Sequence, residues 1–231
     1  MKLDHVVYFT SKEPEQIVVE QLANGRHAVV GGRHEKWGTH NALLYTKNAY
    51  IEWLSVEKIE IAQQVVHPLT KLLLHDLEQD DGWGTICLSV DKIEKFNEEV
   101  ENKGFYTSGV LNASRRTANG QLRKWKMLFI DQPVSHELPY PFFIEWEETE
   151  ETRFEKLRED GTLKSDNELL EITECIFSVD DPLRVTAEWA ILLSQKVGNA
   201  DDIVLPNVVL KFVVHDGEID RLTDVVVGQT D

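Results

Sequence analysis

Four polar side chains that can bind ligands or move protons lie close together in a glycine-rich stretch: Arg33, His34, His40 and Asn41. Glu52 follows in an apolar run, next to Ile51, Trp53 and Leu54. A carboxylate in such a setting is costly to bury unless a partner stabilises its charge. An arginine, a metal ion and water are the three candidate partners.

Arg33 and His34 each have a functional and a structural interpretation. An arginine can hold a substrate carboxylate through two parallel hydrogen bonds, and a histidine can exchange a proton near neutral pH. Alternatively, Arg33 pairs with Glu52 or Glu145 inside the protein, and His34 binds backbone carbonyls. Both interpretations use the bracketing glycines, which permit close approach: Gly31, Gly32 and Gly38.

One supersecondary unit recurs along the chain. At three places a strand pattern leads into a helix pattern that a glycine ends. The three strand patterns are Leu3 to Thr10, Thr85 to Val90 and Leu170 to Val179. Asp91 with Glu94 predicts a capping box for the second helix. The tripeptide Ser-Val-Asp at residues 89–91 and 178–180 aligns the second and third copies, and such a repeat indicates repeated units.

The ends of the first two units also agree. The tripeptide Ile-Glu-Trp occurs at residues 51–53 and again at residues 144–146. Side chains alternate between the two faces of a strand, so Tyr50, Glu52 and Leu54 share one face. The match predicts that Glu145 occupies in the second unit the place that Glu52 has in the first.

These units predict an α+β fold of tandem βαβββ modules. Their mixed, largely antiparallel sheets would form a cleft with the helices outside, and Asn119-Gly120 predicts a hairpin turn in the second module. We assign residues 1–150 to the paired modules and residues 151–231 to a partial third module packed on them, without an Ile-Glu-Trp strand. The acidic run from Glu145 to Glu151 is expected to be a solvated connection.

Composition limits the partners. The 24 basic and 41 acidic residues give a formal charge of −17, which disfavours nucleic acid and anionic lipid. The sequence predicts no membrane span and no signal peptide. Two distant cysteines, Cys87 and Cys175, are typical of a reduced, cytoplasmic setting. We expect a small-molecule ligand, and a homodimer is compatible with the composition.

A basic hairpin stands out in this acidic chain. Strand alternation sends Arg115 and Arg116 to opposite faces, so that one of them can face the cleft and bind an anion. We take Arg115 and Trp125 as candidate ligand-binding residues, together with Arg33, His40 and Asn41. The remaining hairpin cations are expected to be solvated and paired with acids.

Four segments carry a resemblance to a known family: LDHVVYF, GGRHEKWGTHN, YIEWLS and LPYPFFIEW. Together they resemble the glyoxalase-like branch of the vicinal oxygen chelate superfamily. The resemblance implies a cleft between two half-sheets, which often holds a divalent metal ion that chelates adjacent substrate oxygens. It places the metal ligands at His5, Glu52, Thr85 and Glu145, where Thr85 departs from the usual histidine.

The remaining ligand set, His5, Glu52 and Glu145, suits Mn²⁺, Fe²⁺, Zn²⁺ or Mg²⁺. The resemblance therefore implies a metal-assisted lyase, isomerase or dioxygenase that acts on a small oxygen-rich, anionic substrate. Glu52 and His34 would move protons in such an enzyme. The alternative is a decayed metal site whose acids pair with arginines, in a protein that binds or sequesters a small molecule without turnover.

Overall fold

The first module is a strand, a helix and three further strands. The computed structural model describes residues 1–116, 122–198, 202–215, 217 and 219–229, and the side chains of residues 115, 116 and 122 lie outside that description. The elements are β1 (Lys2–Phe9), α1 (Pro14–Ala23), β2 (Val29–His34), β3 (Thr39–Tyr45) and β4 (Tyr50–Val56). β4 is parallel to β1, and β3 and β2 follow in antiparallel order.

The second module repeats this order after two connecting helices. The connecting helices are α2 (Ile59–Ala62) and α3 (Pro68–Asp76). The module comprises β5 (Gly82–Ser89), α4 (Ile93–Asn102), β6 (Leu111–Arg116), β7 (Leu122–Leu128) and β8 (Phe142–Trp146). β8 is parallel to β5, and β7 and β6 follow antiparallel. The predicted Asn119-Gly120 turn lies outside the described residues, between β6 and β7.

An antiparallel pairing of β1 with β5 joins both modules into one mixed sheet of eight strands. The strand order is β2-β3-β4-β1-β5-β8-β7-β6, and the edge strands β2 and β6 approach each other, so the sheet curls around a concave face. Ile17 of α1 and Phe96 of α4 are buried against the convex face. Leu72 and Leu73 of α3 pack on the concave side. This arrangement confirms the predicted α+β fold with a cleft and outer helices.

A second sheet of four strands forms the third module. Its elements are β9 (Leu170–Val179), α6 (Pro182–Leu193), β10 (Asp202–Leu205), β11 (Val208–Val214) and β12 (Arg221–Gln229). β11 lies parallel to β9 as β4 does to β1, so β11 takes the place of the last strand, for which the sequence pattern offered no counterpart. One apolar cluster includes Leu3 of the first sheet and Leu210 of this one. The boundary at residue 150 therefore stays a prediction.

The acidic stretch after β8 is largely exposed, as expected of a solvated connection, but its end is helical. It folds into α5 (Glu150–Glu159), whose first turn carries Glu150 and Glu151, where the helix dipole favours negative charge. The other side of α5 is apolar: Phe154 and Leu157 cluster with Tyr45 and Tyr50. α5 thus closes one end of the concave face. Among the described residues, no helix is both long and apolar enough to span a bilayer.

Arg153 ties α5 to β1 through a buried ion pair. Its Nη2 donates to Asp4 Oδ2 at 3.0 Å, and its guanidinium lies over the Trp146 ring at 4.6 Å from the centroid. The Arg153 and Asp4 side chains are only 7% and 1% exposed. The pair is therefore shielded from water and salt.

We predict that Arg153→Met destabilises the protein by about 3 kcal/mol, because the Asp4 carboxylate would stay buried without its cation. Urea unfolding of wild type and variant measures the loss. Arg158 offers a matched control on the same helix, since its pair with Glu168 is largely exposed. Arg158→Met should cost less than about 1 kcal/mol, and equal losses for the two variants would contradict the account.

Candidate functional site

Glu52 lies on the concave face with an amide and an imidazole as partners. Asn41 Nδ2, on the neighbouring β3, donates to Glu52 Oε1 at 2.5 Å, and His5 Nε2 on β1 lies 3.4 Å from Oε2. The backbone N–H of Gly32 donates to Asn41 Oδ1 at 2.7 Å, which orients the amide. A Cβ at Gly31 would lie 2.0 Å from Asn41 Oδ1. The glycine pair thus permits the approach of Asn41 to the backbone of β2.

The predicted contact between Arg33 and the buried acids is wrong. Arg33 is 60% exposed and pairs with Glu57 instead. It lies opposite His40, next to a register shift in the pairing of β2 with β3 between Val30 and Arg33. Strand alternation then directs Arg33 and His34 to different sides. The partners of the Glu52 carboxylate are therefore Asn41, which is neutral, and His5.

His34 and His40 of the same stretch also lie on different sides, one in the cleft and one outside it. His34 lines the cleft, and its Nδ1 contacts Thr39 Oγ1 at 3.0 Å. His40 is buried outside the cleft, with Nε2 3.8 Å from a carboxylate oxygen of Glu13. Trp125 lines the cleft as expected. The side chain of Arg115 lies outside the described part of the chain, so its role in ligand binding stays a prediction.

A buried acid orients His5. The pairing of β1 with β5 has a register shift between Leu3 and His5, and a bulge of this kind re-aims side chains. Asp4 Oδ1 lies 2.8 Å from His5 Nδ1, while Trp146 Nε1 donates to Asp4 Oδ2 at 2.9 Å. Burial opposes ionisation of Asp4, but the charge of Arg153 and the hydrogen bonds from His5 and Trp146 outweigh it and lower its pKa to about 2.

Because the ionised Asp4 can only accept, His5 Nδ1 carries the proton of that hydrogen bond. The second ring nitrogen, Nε2, then faces Glu52 across 3.4 Å. The His5 ring is held by stacking on Tyr50, with centroids 4.4 Å apart, and by an edge contact with Phe142. The pair formed by His5 Nε2 and Glu52 Oε2 is the polar centre of the cleft.

Glu145 does not join this centre, so the predicted convergence of Glu145 with His5 and Glu52 is wrong. Glu145 Oε2 accepts from the backbone N–H of Ile93 at 3.1 Å and lies 3.8 Å from Lys126 Nζ. It therefore caps the amino end of α4 on the outer side of the sheet. The sequence predicted that a capping box of Asp91 and Glu94 would cap this helix. The N-cap of α4 is instead Lys92, which makes no side-chain cap.

The reason is a difference of one residue in register between the modules. His5 pairs with Tyr50 across β1 and β4, and Cys87 pairs with Phe142 across β5 and β8. Counting along each last strand, the structural counterpart of Glu52 is Ile144. A shift of one residue moves a side chain to the opposite face of a strand.

The second half of the cleft is therefore apolar where the first half is polar. Cys87, Phe142 and Ile144 belong to the apolar cluster of the concave side, and burial raises the pKa of the Cys87 thiol well above its usual value. Thr85 does not reach the centre: its Oγ1 donates to Tyr140 O at 3.4 Å, and it lines a separate cavity.

His67 is a cleft residue that the sequence analysis did not single out. It is the N-cap of α3, and its Nδ1 accepts from the backbone N–H of Thr70 at 3.4 Å. Trp37 stacks on the ring with centroids 4.1 Å apart. Nε2 is buried and has no hydrogen-bond partner within the described chain. Burial, and to a smaller extent nearby His34, lowers the pKa of His67 to about 3.

At neutral pH His67 is therefore an uncharged imidazole. Since its Nδ1 is an acceptor, its Nε2 carries the proton and is a donor for a ligand in the cleft. The sequence signal was present, because a polar residue before a proline is typical of a helix start. That signal predicts that His67 is an N-cap, but it does not predict that His67 lines the cleft.

The space between these groups is small. A cavity of about 60 Å³ is lined by His5, His34, Glu52, His67 and Trp125, among others. We call it the inner cleft. It has room for an ion or a few ligand atoms, since about 10–15 Å³ of such space is enough to hold one water molecule.

The ligand atoms of Asp4, His5 and Cys87 lie within 4.8 Å of one another, so this buried group could hold a metal ion. The Asp4 carboxylate already has three protein partners, His5, Trp146 and Arg153. We therefore regard Asp4 as the residue that orients His5, which is the usual arrangement for a metal-binding histidine. His5 Nε2 and Glu52 Oε2 then remain as the two donors that face each other in the cleft.

The chain belongs to the family described as the glyoxalase-like domain, whose match spans residues 3–193. A hypothetical protein from Staphylococcus aureus has a similar structure, with a TM-score of 0.82, 22% identity, and coverage of 98% of this chain and 90% of that one. A mutant of 4-hydroxymandelate synthase from Streptomyces coelicolor aligns with a TM-score of 0.56 and 8% identity over 93% of this chain and 63% of its own.

At these identities both structures show the shared fold alone. No curated protein matches the chain in sequence. The family assignment confirms the resemblance to the glyoxalase-like branch, and the fold agrees with the superfamily to which that branch belongs.

The low pKa of His67 predicts a pH dependence of stability. Its pKa is about 3 in the folded state and 6.5 in the unfolded chain, so the unfolded chain binds the extra proton between these values. Stability is complete above pH 6.5 and falls as the pH drops towards 3. At pH 5 the expected loss is about 2 kcal/mol.

Denaturant unfolding at pH 8 and pH 5 measures this loss. His67→Asn keeps a good N-cap but cannot titrate, so its stability should change by about 2 kcal/mol less than that of wild type. The same pH dependence in both proteins would show that His67 is not buried in neutral form.

Proposed function

We propose that this protein is a metal-assisted enzyme that acts on an oxygen-bearing small molecule in the inner cleft. The observation that carries the proposal is the chain Asp4–His5–Glu52, in which an ionised acid orients an imidazole whose second nitrogen faces a buried carboxylate. Such an arrangement is expensive for stability alone, because two acids are buried within reach of one imidazole. It is useful when a cation or a proton lies between His5 and Glu52.

The donor spacing suits a divalent ion. Two donors about 2.1 Å from one ion lie about 3.4 Å apart in tetrahedral geometry, and His5 Nε2 is 3.4 Å from Glu52 Oε2. Asn41 supports Glu52, and Asp4 supports His5, as second partners of metal ligands usually do. When bound, Zn²⁺, Mn²⁺, Fe²⁺ or Mg²⁺ would polarise substrate oxygens. This proposal keeps His5 and Glu52 as ligands and does not include Glu145.

The protein groups around the ion position would orient the substrate and move its proton. His67 Nε2–H can donate to a substrate oxygen without carrying charge, since its low pKa keeps it neutral. Glu52 Oε1 and Oε2 differ in their partners, Asn41 and His5. An oxygen of Glu52 that is not bound to the ion is the natural proton acceptor, and His34 at the cleft wall is a second candidate.

Binding without turnover is the second candidate function. The observation that favours it is the apolar second half of the cleft, in which Cys87, Phe142 and Ile144 offer no oxygen or nitrogen ligand. An ion would then be held by His5 and Glu52, because burial raises the pKa of the Cys87 thiol and disfavours the thiolate that binds metals. A site with few protein ligands binds more weakly, but it leaves more positions open for a ligand.

The two copies of Ile-Glu-Trp provide a matched test of the ion site. We expect one divalent ion per chain in protein purified without chelator or affinity tag. Glu52→Gln should reduce Mn²⁺ or Zn²⁺ affinity at least tenfold, because one charged donor is lost. Glu145→Gln should leave the affinity unchanged, because Glu145 lies outside the cleft. Isothermal titration calorimetry distinguishes them, and equal losses or no ion in wild type would sink the metal assignment.

Proton transfer can be tested without knowing the substrate. We would incubate the metal-loaded protein in D₂O with alkyl and aromatic 2-oxo acids and hydroxy ketones, and follow loss of the ¹H signal beside the carbonyl. Wild type and Glu145→Gln should exchange the proton, and Glu52→Gln should be at least a hundredfold slower. Binding of these compounds without exchange in any of the proteins would support the second candidate function instead.

A further inference from the structure

A larger cavity lies beside the inner cleft. Its volume is about 380 Å³, and we call it the outer cavity. The start of α3 forms one side, and the segment from Phe129 to Phe142 forms the other. Leu69 and Phe142 line both cavities. Within the described part of the chain only these two side chains are shared, so they form the partition between the outer cavity and the polar centre.

The interior of the outer cavity is apolar. Leu72, Phe129 and Phe142 line it with Leu69, and all belong to the apolar set of the concave side. Its polar interior groups already have partners, since Thr85 Oγ1 donates to Tyr140 O and the Gln132 side chain bonds to backbone atoms of Leu138 and Tyr140.

The charged residues that line the outer cavity are exposed to solvent: Lys71, Asp131 and Glu137. They mark its mouth, where Val66 also lies 87% exposed. A volume of this size that combines an apolar interior with polar groups towards its edge is typical of small-molecule sites. The interior suits a hydrocarbon group, and the mouth is open to water.

The third module holds the wall of the outer cavity in place. Arg221 of β12 donates from Nη2 to Ser135 O at 2.8 Å and from Nη1 to Glu137 O at 2.9 Å. The same guanidinium pairs with Asp76 at the end of α3, at 2.9 Å. Tyr140 donates to Glu188 of α6. Arg221 thus connects the two sides of the outer cavity, the segment before β8 and the end of α3.

We propose that the outer cavity binds the apolar body, an alkyl chain or an aromatic group, of the ligand whose oxygen-bearing head lies in the inner cleft. The position of the head rests on the proposed function, whereas binding of the apolar body does not. Movement of Leu69 or Phe142 joins the two spaces. The substrate class is then a carbonyl or carboxyl compound with a hydrocarbon tail, which adds an apolar part to the small oxygen-rich, anionic substrate that the sequence predicted.

Straight-chain alkanols from butanol to decanol probe the outer cavity alone. Each added CH₂ should tighten binding about fourfold until the cavity is filled, as measured by calorimetry with the intact chain. Thr85→Met would fill the cavity, whereas Thr85→Val keeps the volume and loses only the hydroxyl. The Met variant should bind octanol at least tenfold more weakly than wild type, and the Val variant within about twofold. No gain with chain length, or equal weakening in both variants, would overturn the proposal.

Methyl NMR locates the alkanol in wild type, and so decides the matter even if Thr85→Met fails to fold. Octanol should shift the methyl signals of Leu72 and Val66 in the outer cavity, and leave Leu43 in the inner cleft unchanged. The opposite pattern, or shifts spread over the surface, would refute the site.

Glu52→Gln separates this inference from the proposed function. It should bind octanol as wild type does, and a loss of octanol binding in this variant would count against a separate apolar site. If wild type binds octanol in the outer cavity but holds no ion and exchanges no proton, the proposed function fails and the apolar site stands. If the ion binds but octanol does not, the apolar site fails alone.

Discussion

The burial of the Glu52 carboxylate is the constraint on which the site depends. Glu52 is only 7% exposed, and its neighbours on the concave face are mostly apolar or aromatic. The protein meets this cost with one amide, Asn41, and one imidazole, His5. His5 in turn needs Asp4, and Asp4 needs the charge of Arg153. The polar centre is therefore connected through a continuous set of buried contacts to α5, which follows the second module.

This dependence explains why the two halves of the cleft differ. The first half carries His5 and Glu52, together with the supports of each, whereas the second half has Cys87 and Ile144 at the corresponding register positions. A buried polar group without partners would be costly, so an apolar second half is the stable alternative when only one polar centre is supported. Glu145 stands in the same Ile-Glu-Trp tripeptide as Glu52, but it caps α4 and pairs with Lys126 on the outer side of the sheet.

Much of the fold could be predicted from local patterns. The strand at residues 2–9, the helix that begins at Pro14 and the third repeat from Leu170 all agree with the sequence expectation. The side-chain partners could not be predicted in this way. The register of β8 depends on its pairing with β5, and the side of β2 on which Arg33 emerges depends on a local irregularity in its pairing with β3. Neither the register of β8 nor the irregularity in β2 can be predicted from the composition or spacing of the residues involved.

The central proposal is that His5 Nε2 and Glu52 Oε2, which lie 3.4 Å apart, would together hold a divalent metal ion, and ¹⁵N NMR of the His5 ring tests it most directly. In protein with ¹⁵N-labelled histidine, we expect Nδ1 to carry a proton at neutral pH because Asp4 accepts it. Saturating Zn²⁺ should give Nε2 the shift of a metal-bound nitrogen and release any proton from it. A His5 ring that keeps a proton on Nε2, with unchanged ¹⁵N shifts at saturating Zn²⁺, would contradict the account of a metal-assisted site.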